Sequence, residues 1–197
     1  MKDDVHPVGL KLAGLECLVV GSGPETRPRA DALRHAGAVV RVVSEHPSRE
    51  LEDAAAAGGY TLEVRGFVES DLDRVWLAVL ADKNDELARL MGELAAQRRV
   101  FFCAIDQPQH STFSHFAISR SGDVTVAIST NGRAPALARR LREEIDRLLA
   151  SVELPAFVER LAELREKTSS TERKRVLSDA VAGVRIDGKV VLPKRTE

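Results

Sequence analysis

Two stretches of the sequence combine residue types that could bind anions or move protons. The first is Gly21-Ser22-Gly23, which follows an apolar run and precedes a helical pattern. Glycines at such a turn allow the backbone to approach a phosphate, and the N–H groups that begin the helix attract anions. Thr26 occupies the third fingerprint position in place of Gly or Ala, and Pro24 lacks an N–H group. The turn predicts a dinucleotide pyrophosphate site, with a plain strand-to-helix turn as the alternative.

A dinucleotide site also needs a partner for the ribose about 20 residues further on. Glu45 lies one or two positions beyond the end of the second predicted strand and could accept a hydrogen bond from a ribose hydroxyl. The alternative is a solvated loop glutamate. Arg41 lies inside that strand, where the alternation suggests a structural role rather than binding of a 2′-phosphate. The pattern favours NAD over NADP.

The second stretch begins with Asp106, which ends an apolar run predicted to be a central strand. Gln107 and Pro108 then stop the strand. A buried carboxylate there would be costly without a role or a partner, and ligands of parallel sheets bind at the carboxyl ends of the strands. Asp106 is therefore the candidate acid–base group, and the alternative is that it caps the following turn.

A polar turn, residues 129–133, precedes a helix that begins near Pro135 and carries Arg139 and Arg140 on its early turns. Hydroxyls, free N–H groups and guanidinium groups at one helix start suit anionic groups such as carboxylates or phosphates. The alternative is an ordinary helix cap followed by a solvated arginine face.

The elements that must position these residues alternate between strand and helix up to about residue 110. In order, the predicted segments are strand 16–21, helix 28–36, strand 39–43, helix 48–57, strand 61–65, strand 76–81, helix 85–98 and strand 100–105. This alternation predicts an α/β fold with a parallel, doubly wound, Rossmann-like sheet.

A different pattern follows. Two strands, 113–119 and 124–129, are separated by a turn that favours a hairpin, and two helical regions, 135–150 and 154–184, come next, the second interrupted near residues 167–170. The tail ends in a strand-like segment at residues 189–192. We therefore predict a nucleotide-binding domain over residues 1–113, a hairpin and helix over 114–150 that serve dimerisation and the substrate site, and a helical region over 151–197.

Composition argues against several classes of protein. The formal net charge is −1, with 44% hydrophobic and 30% charged residues, so there is no global basic field that would favour nucleic acid. No run approaches the roughly 18 apolar residues of a membrane span, and the opening residues do not form a signal peptide. Cys17 and Cys103 both lie in apolar runs and are expected to be buried thiols. We expect a cytoplasmic protein without a fixed metal site.

The order of these motifs resembles the siroheme synthase N-terminal family of precorrin-2 dehydrogenases and sirohydrochlorin ferrochelatases. The resemblance runs from about Leu10 to about Leu149, and more loosely to about Val181. Four stretches carry it, and the last is the most specific: GSG at residues 21–23, AGAVVRVV at 36–43, Asp-Gln-Pro at 106–108, and AISTNGRAPALARRLRE at 127–143.

The resemblance implies siroheme biosynthesis: NAD-dependent oxidation of precorrin-2 to sirohydrochlorin, and ferrous iron insertion as a second activity in which iron is a substrate. It implies that Asp106 serves both activities. The apolar faces of the C-terminal half exceed what one small domain can cover, and they separately predict a homodimer. The implied NAD contacts are Gly21, Ser22, Gly23, Pro24, Glu25, Thr26, Ser44, Glu45 and His46. The implied contacts to the carboxylates of the tetrapyrrole substrate are Ser129, Thr130, Asn131, Gly132, Arg133, Arg139 and Arg140.

The sequence departs from the family pattern at several of these positions. The first turn reads Gly-Ser-Gly-Pro-Glu-Thr where the family has three glycines and then Val-Ala. The segment after the fourth strand is Ala-Asp-Lys-Asn, at residues 81–84, where the family has Ala-Thr-Asp-Asp. Two alternatives therefore stay open: a dehydrogenase without chelatase activity, and a non-catalytic tetrapyrrole- or nucleotide-binding homologue whose cofactor turn has decayed.

Overall fold

The computed structural model describes residues 5–192, and its first part is a five-stranded parallel sheet. The strands are β1 (Glu16–Val20), β2 (Val39–Ser44), β3 (Thr61–Val64), β4 (Leu77–Leu80) and β5 (Phe101–Ala104). Their order across the sheet is β3-β2-β1-β4-β5. The strand order reverses between β1 and β4, which is the switch point where such sheets form a crevice at the carboxyl ends of their strands.

Three helices cover the two faces of this sheet. They are α1 (Thr26–His35), α2 (Arg49–Ala56) and α3 (Asp85–Arg98). Local capping fixes two of the helix starts. The Ser48 hydroxyl accepts a hydrogen bond from the Leu51 amide at 3.2 Å, and the Asn84 side chain accepts one from the Leu87 amide at 3.1 Å.

The apolar residues of the strands divide into two cores, one on each face of the sheet. Leu18, Ala78 and Leu80 pack with α3, whose Met91 is fully buried. Alternate strand residues, including Val19 on β1, face the other way and pack with α1 and α2. Because both faces are covered, β1 and β4 are continuous apolar runs rather than alternating ones.

The second compact unit contains a hairpin and three helices. It comprises Phe116–Thr130 and the described residues from Ala134 onward, whereas Asn131–Arg133 group with the sheet unit. Its elements are β6 (Ala117–Ser121), β7 (Val124–Ile128), α4 (Pro135–Ala150), α5 (Leu154–Lys167) and α6 (Arg173–Val181). Gly122 opens the two-residue hairpin turn with φ of 55°, a conformation that suits glycine.

The predicted α/β fold is confirmed, with three corrections to its details. The predicted strand at residues 189–192 is absent, because nothing among the described residues pairs with that segment. The first hairpin strand begins at Ala117 rather than at residue 113. Strand β5 lies at an edge of the sheet and not at its centre, and Asp106, just beyond it, is exposed rather than buried.

Candidate functional site

The turn after β1 is held in a conformation that only glycine adopts readily at its first position. Gly21 has φ of 151°, and its amide donates to the Val43 carbonyl at 3.0 Å. A Cβ atom added to Gly21 would lie 2.9 Å from Thr26 Oγ1 and 3.1 Å from the Ala81 side chain. The first glycine of the motif is therefore required by sterics and backbone conformation.

The next two amides of the turn converge on a single carboxylate. Asp82 Oδ2 accepts from the Ser22 amide at 2.7 Å, and Asp82 Oδ1 accepts from the Gly23 amide at 2.8 Å. Asp82 follows β4, the strand beside β1 at the switch point. This pair of N–H groups is thus an anion-binding site, and the chain itself provides an anion that occupies it.

The tips of β1 and β2 are connected through side chains predicted to contact the cofactor. The Ser22 and Ser44 hydroxyl oxygens lie 3.0 Å apart, and the His46 amide donates to Ser22 Oγ at 3.1 Å. Glu45 is exposed and lines the same cleft, which has a volume of about 130 Å³. Ser22, Ser44, Glu45 and His46 are therefore brought together at the carboxyl edge of the sheet.

The remaining three turn residues differ in their surroundings. Pro24 is exposed, and Glu25 forms an ion pair with Arg29 at 2.6 Å along the first turns of α1. Thr26 is almost fully buried, and its hydroxyl has no hydrogen-bond partner among the described residues. The bulk of Thr26 at the third fingerprint position is thus accommodated inside the fold.

A cluster of charges that the sequence analysis did not anticipate borders this cleft. The Asp71 carboxylate is only 3% exposed and accepts from Arg41 Nη1 at 2.7 Å and from Arg65 Nη2 at 2.6 Å. Both arginines also pair with Glu63. Burial alone would raise the pKa of the Asp71 carboxyl, but hydrogen bonds from Arg65, the Val68 amide and Arg41 lower it to about 2. The expected structural role of Arg41 is borne out by these contacts.

Asp106 lies directly beyond β5, at the same edge of the sheet. It is exposed and has φ of 58°, in the left-handed region that aspartate tolerates better than most residues. The next residue, Gln107, is buried, and its Nε2 donates to the Asp82 carbonyl at 3.4 Å. The loop that carries Asp106 is therefore tied to the residue that binds the glycine turn.

The residues predicted to bind substrate carboxylates lie around the start of α4. Thr130 Oγ1 accepts from the Ala134 amide at 3.2 Å, so this hydroxyl stabilises the helix start. Ser129 is exposed, and Asn131 and Gly132 have φ of 50° and 71°. Left-handed conformations at two successive residues turn the chain sharply before the helix.

The arginines of this region differ in their surroundings. Arg140 forms ion pairs with Glu143 at 3.2 Å and with Glu144 on its own helix. Arg133 and Arg139 are exposed and form no salt bridge to a described residue. Arg133 and Arg139 are thus better placed than Arg140 to pair with a ligand carboxylate.

Sequence reasoning missed Asp71, Asp82 and Gln107 as site residues. Asp82 could have been found, because it directly follows a buried parallel strand, as Asp106 does. Asp71 carried no such signal, since its burial depends on two arginines from different strands or loops.

Within residues 5–192, no group of three or more His, Cys, Asp or Glu side chains is arranged to hold a metal ion. Over the same residues, no helix has the length and apolarity needed to cross a membrane.

Comparisons with known proteins find matches to both parts of the chain. A family model described as putative NAD(P)-binding matches residues 8–116, and one described as sirohaem biosynthesis protein central matches residues 122–148. A siroheme synthase of Escherichia coli O1:K1 is 36% identical over 146 residues, which is 74% of this chain and 32% of the relative. One from Thioalkalivibrio sulfidiphilus is 35% identical over 163 residues, covering 83% of this chain and 32% of the relative.

The chain thus spans about a third of the length of the curated relatives it matches. Among solved structures, SirC, a precorrin-2 dehydrogenase, matches with a TM-score of 0.70 at 22% identity and covers 90% of this chain and 89% of its own. This match confirms the fold, and the family models and curated relatives confirm the resemblance predicted from the motifs. Because the first family model matches more than half of its residues, the chain belongs to the putative NAD(P)-binding family.

Proposed function

We propose that this chain acts in siroheme biosynthesis and oxidises precorrin-2 to sirohydrochlorin with NAD as the hydride acceptor. The sequence similarity to siroheme synthases and the fold shared with a precorrin-2 dehydrogenase support this proposal. The observation that carries it is the link from Asp106 through Gln107 to the backbone carbonyl of Asp82, in the loop beside the glycine turn. This link keeps a free carboxylate close to the loop where a dinucleotide would bind.

The residues at the turn fit the pyrophosphate of a dinucleotide. The amides of Ser22 and Gly23 both point at one anionic group, and the Asp82 carboxylate stands in for that group. The adenosine ribose would lie near the end of β2, where Glu45 offers an acceptor for its hydroxyls. When bound, NAD supplies the hydride acceptor.

The charges of the cleft favour NAD over NADP. Arg65 is the basic residue among those that line the cleft, and its guanidinium is already paired with Asp71 and Glu63. Arg41, on the adjacent strand, is paired with the same two carboxylates. A 2′-phosphate would instead meet the carboxylate of Glu45, so electrostatic repulsion disfavours the phosphorylated cofactor.

Other residues of the chain would accept the proton, bind the substrate and position the loop. Asp106, exposed at the edge of the sheet, accepts the proton that leaves the substrate when the hydride is removed. Arg133 and Arg139 pair with carboxylates of the tetrapyrrole, whereas Arg140 stays in its ion pairs along α4. Gln107 positions the loop through its hydrogen bond to Asp82.

Three further parts of the proposal complete the function. Insertion of ferrous iron into sirohydrochlorin would use the same Asp106 carboxylate to take pyrrole protons, with iron as a substrate. We also propose a homodimer formed through the second unit. A cytoplasmic location agrees with two buried free thiols, Cys17 and Cys103, since unpaired cysteines are typical of reducing compartments.

Two alternative functions are also compatible with this fold. A dehydrogenase without chelatase activity would keep every contact described above. A non-catalytic tetrapyrrole- or nucleotide-binding homologue is favoured by one observation: Asp82 already fills the anion site of the turn.

The test is anaerobic incubation with precorrin-2 and NAD, following sirohydrochlorin by absorbance, with and without ferrous or cobaltous ion. We expect Asp106→Asn to lower the rate by roughly tenfold to a hundredfold, the low end of what a positioned acid–base group contributes. The control is Asp53→Asn, which makes the same change on the exposed surface of α2, outside the residues assigned to the site, and should leave the rate unchanged. Near-full activity of Asp106→Asn would contradict the mechanism, and absence of activity in the unaltered chain would favour the binding homologue.

A further inference from the structure

The Asp82 side chain occupies the place where the glycine turn would receive a phosphate. Its two carboxylate oxygens accept one amide each, from Ser22 at 2.7 Å and from Gly23 at 2.8 Å. The space beside the turn is filled as well, because a Cβ atom on Gly23 would lie 2.8 Å from Asp82 Oδ1. These short contacts are charge-assisted hydrogen bonds, about twice as strong as those between neutral groups.

A dinucleotide pyrophosphate needs the same donors that Asp82 uses. Pro24 has no amide hydrogen, and the amides of Gly21 and Thr26 donate to the carbonyls of Val43 and Gly23, so Ser22 and Gly23 supply two of the few turn amides left for a phosphate. A phosphate brought to the turn would also meet the negative charge of Asp82 at close range, in a partly buried position where screening by solvent is reduced. The carboxylate and a bound phosphate therefore exclude each other.

The backbone of Asp82 is held independently of its side chain. The Asp82 carbonyl accepts from the Asn84 amide at 3.1 Å and from Gln107 Nε2 at 3.4 Å. Rotation of the Asp82 side chain can release both turn amides without breaking either of these contacts. Displacement is thus a local event that leaves the loops after β4 and β5 in place.

We propose that Asp82 is an internal competitor for the phosphate-binding amides and that it sets the affinity of this chain for dinucleotides. NAD binds only after the Asp82 carboxylate has left the turn, so part of its binding free energy is spent on this displacement. This inference rests on the proposed function, because it concerns the same cofactor site.

The test measures dissociation constants by calorimetric titration for the unaltered chain, Asp82→Ala and Asp82→Asn. Three probes are used: NAD, inorganic pyrophosphate and adenosine. We expect both variants to bind NAD and pyrophosphate at least tenfold more tightly, a change of about 1.4 kcal/mol, whereas adenosine affinity should stay within about twofold. Adenosine carries no phosphate, so it separates competition for the amides from a general widening of the cleft.

Glu86→Gln is the matched control. It removes one negative charge on the exposed first turn of α3, four positions from Asp82, and the Glu86 side chain makes no hydrogen bond or ion pair with another described residue. Its dissociation constants should equal those of the unaltered chain. Equal tightening in Glu86→Gln would show a general charge effect and overturn the specific role of Asp82.

The outcomes separate this inference from the proposed function. If the unaltered chain binds NAD and neither variant binds it more tightly, the competitor role is wrong and the proposed cofactor stands. If the variants gain affinity for pyrophosphate but not for NAD, Asp82 is the competitor and the proposed cofactor is wrong. If no form binds either phosphate probe at millimolar concentration, both are wrong. Melting temperatures identify a variant that fails to fold. If Asp82→Ala fails to fold, the affinities of Asp82→Asn decide between these outcomes, because asparagine keeps one acceptor and the shape of the side chain.

Discussion

The charge cluster around Asp71 offers a quantitative test of the structure at the edge of the cofactor cleft. The carboxylate is 3% exposed and receives four hydrogen bonds within normal distances. Their donors are Arg41 Nη1, two nitrogens of Arg65 and the Val68 amide. Asp71→Asn removes the charge that these donors share while keeping the size of the side chain.

The lowered pKa gives the magnitude of the expected loss. A fall from the usual 3.8 to about 2 corresponds to about 2.5 kcal/mol of stabilisation at neutral pH, since each pH unit is worth about 1.4 kcal/mol. Arg41 and Arg65 are partly exposed and keep Glu63 as a partner, so the loss should be below the 3–5 kcal/mol typical of a broken, fully buried pair. We expect Asp71→Asn to lower the free energy of unfolding by about 2 kcal/mol at pH 7.

The pH dependence provides the more specific signature. Because the pKa of Asp71 is lower in the folded chain than in the unfolded one, its stabilisation is complete above about pH 5. It declines as the pH falls through 3.8 towards 2, where folded Asp71 also becomes protonated. The difference between the unaltered chain and Asp71→Asn should therefore be constant from about pH 7 to 5 and shrink towards pH 3.

Urea unfolding followed by circular dichroism across this pH range measures the difference. The control is Asp73→Asn, two residues away, which pairs with Arg98 at 3.3 Å but is 62% exposed and should cost less than about 1 kcal/mol. A difference for Asp71→Asn that matches the control, or that does not change with pH, would refute the assigned ion cluster.

Two further predictions concern the second unit and the core. Arg139→Ala should raise KM for the tetrapyrrole more than it lowers kcat, and the rise in KM should be steepest at low salt. In the control Arg147→Ala, the lost guanidinium pairs with Glu144 on the exposed surface, so KM and kcat should both stay unchanged. Equal kinetics in the two variants would assign Arg139 to the solvated surface. Burial raises the pKa of the Cys17 thiol to about 11 and also raises the pKa of the Cys103 thiol. A thiol reagent at pH 8 should therefore label both cysteines readily only after the chain unfolds. Rapid labelling of the native chain would contradict their burial.

The parts of the fold that sequence predicted well are those that local interactions determine. Helices α3 and α4 begin and end where the pattern predicts, at Asp85 and Arg98 and at Pro135 and Ala150. Asn84 caps the first of these, and a proline opens the second. Such signals depend on a few neighbouring residues, so they can be recognised in a single sequence.

The errors in the predicted fold concern features that depend on pairing between strands distant in the sequence. The apolar segment at residues 189–192 has the composition of a strand but no described partner, and Trp76, predicted inside β4, precedes the strand and is 58% exposed. The position of β5 at the sheet edge follows from the strand order, which periodicity does not reveal. Asp106 is exposed although its neighbour Gln107 is buried, so the burial of Asp106 was predicted wrongly, whereas its place at the carboxyl end of the strand was predicted correctly.

The cofactor turn shows how sequence and structure lead to different conclusions from the same substitutions. In the sequence, Pro24 and Thr26 weaken the glycine fingerprint and suggest that the site has decayed. In the structure, Thr26 is accommodated in the core, and the amides of Ser22 and Gly23 still converge on one anion. The two amides are therefore still arranged to bind an anion, and in this structure that anion is the Asp82 carboxylate. On the proposed function, cofactor affinity is a balance between two anions at one pair of amides, and we expect substitution of the single side chain of Asp82 to shift that balance without altering the fold.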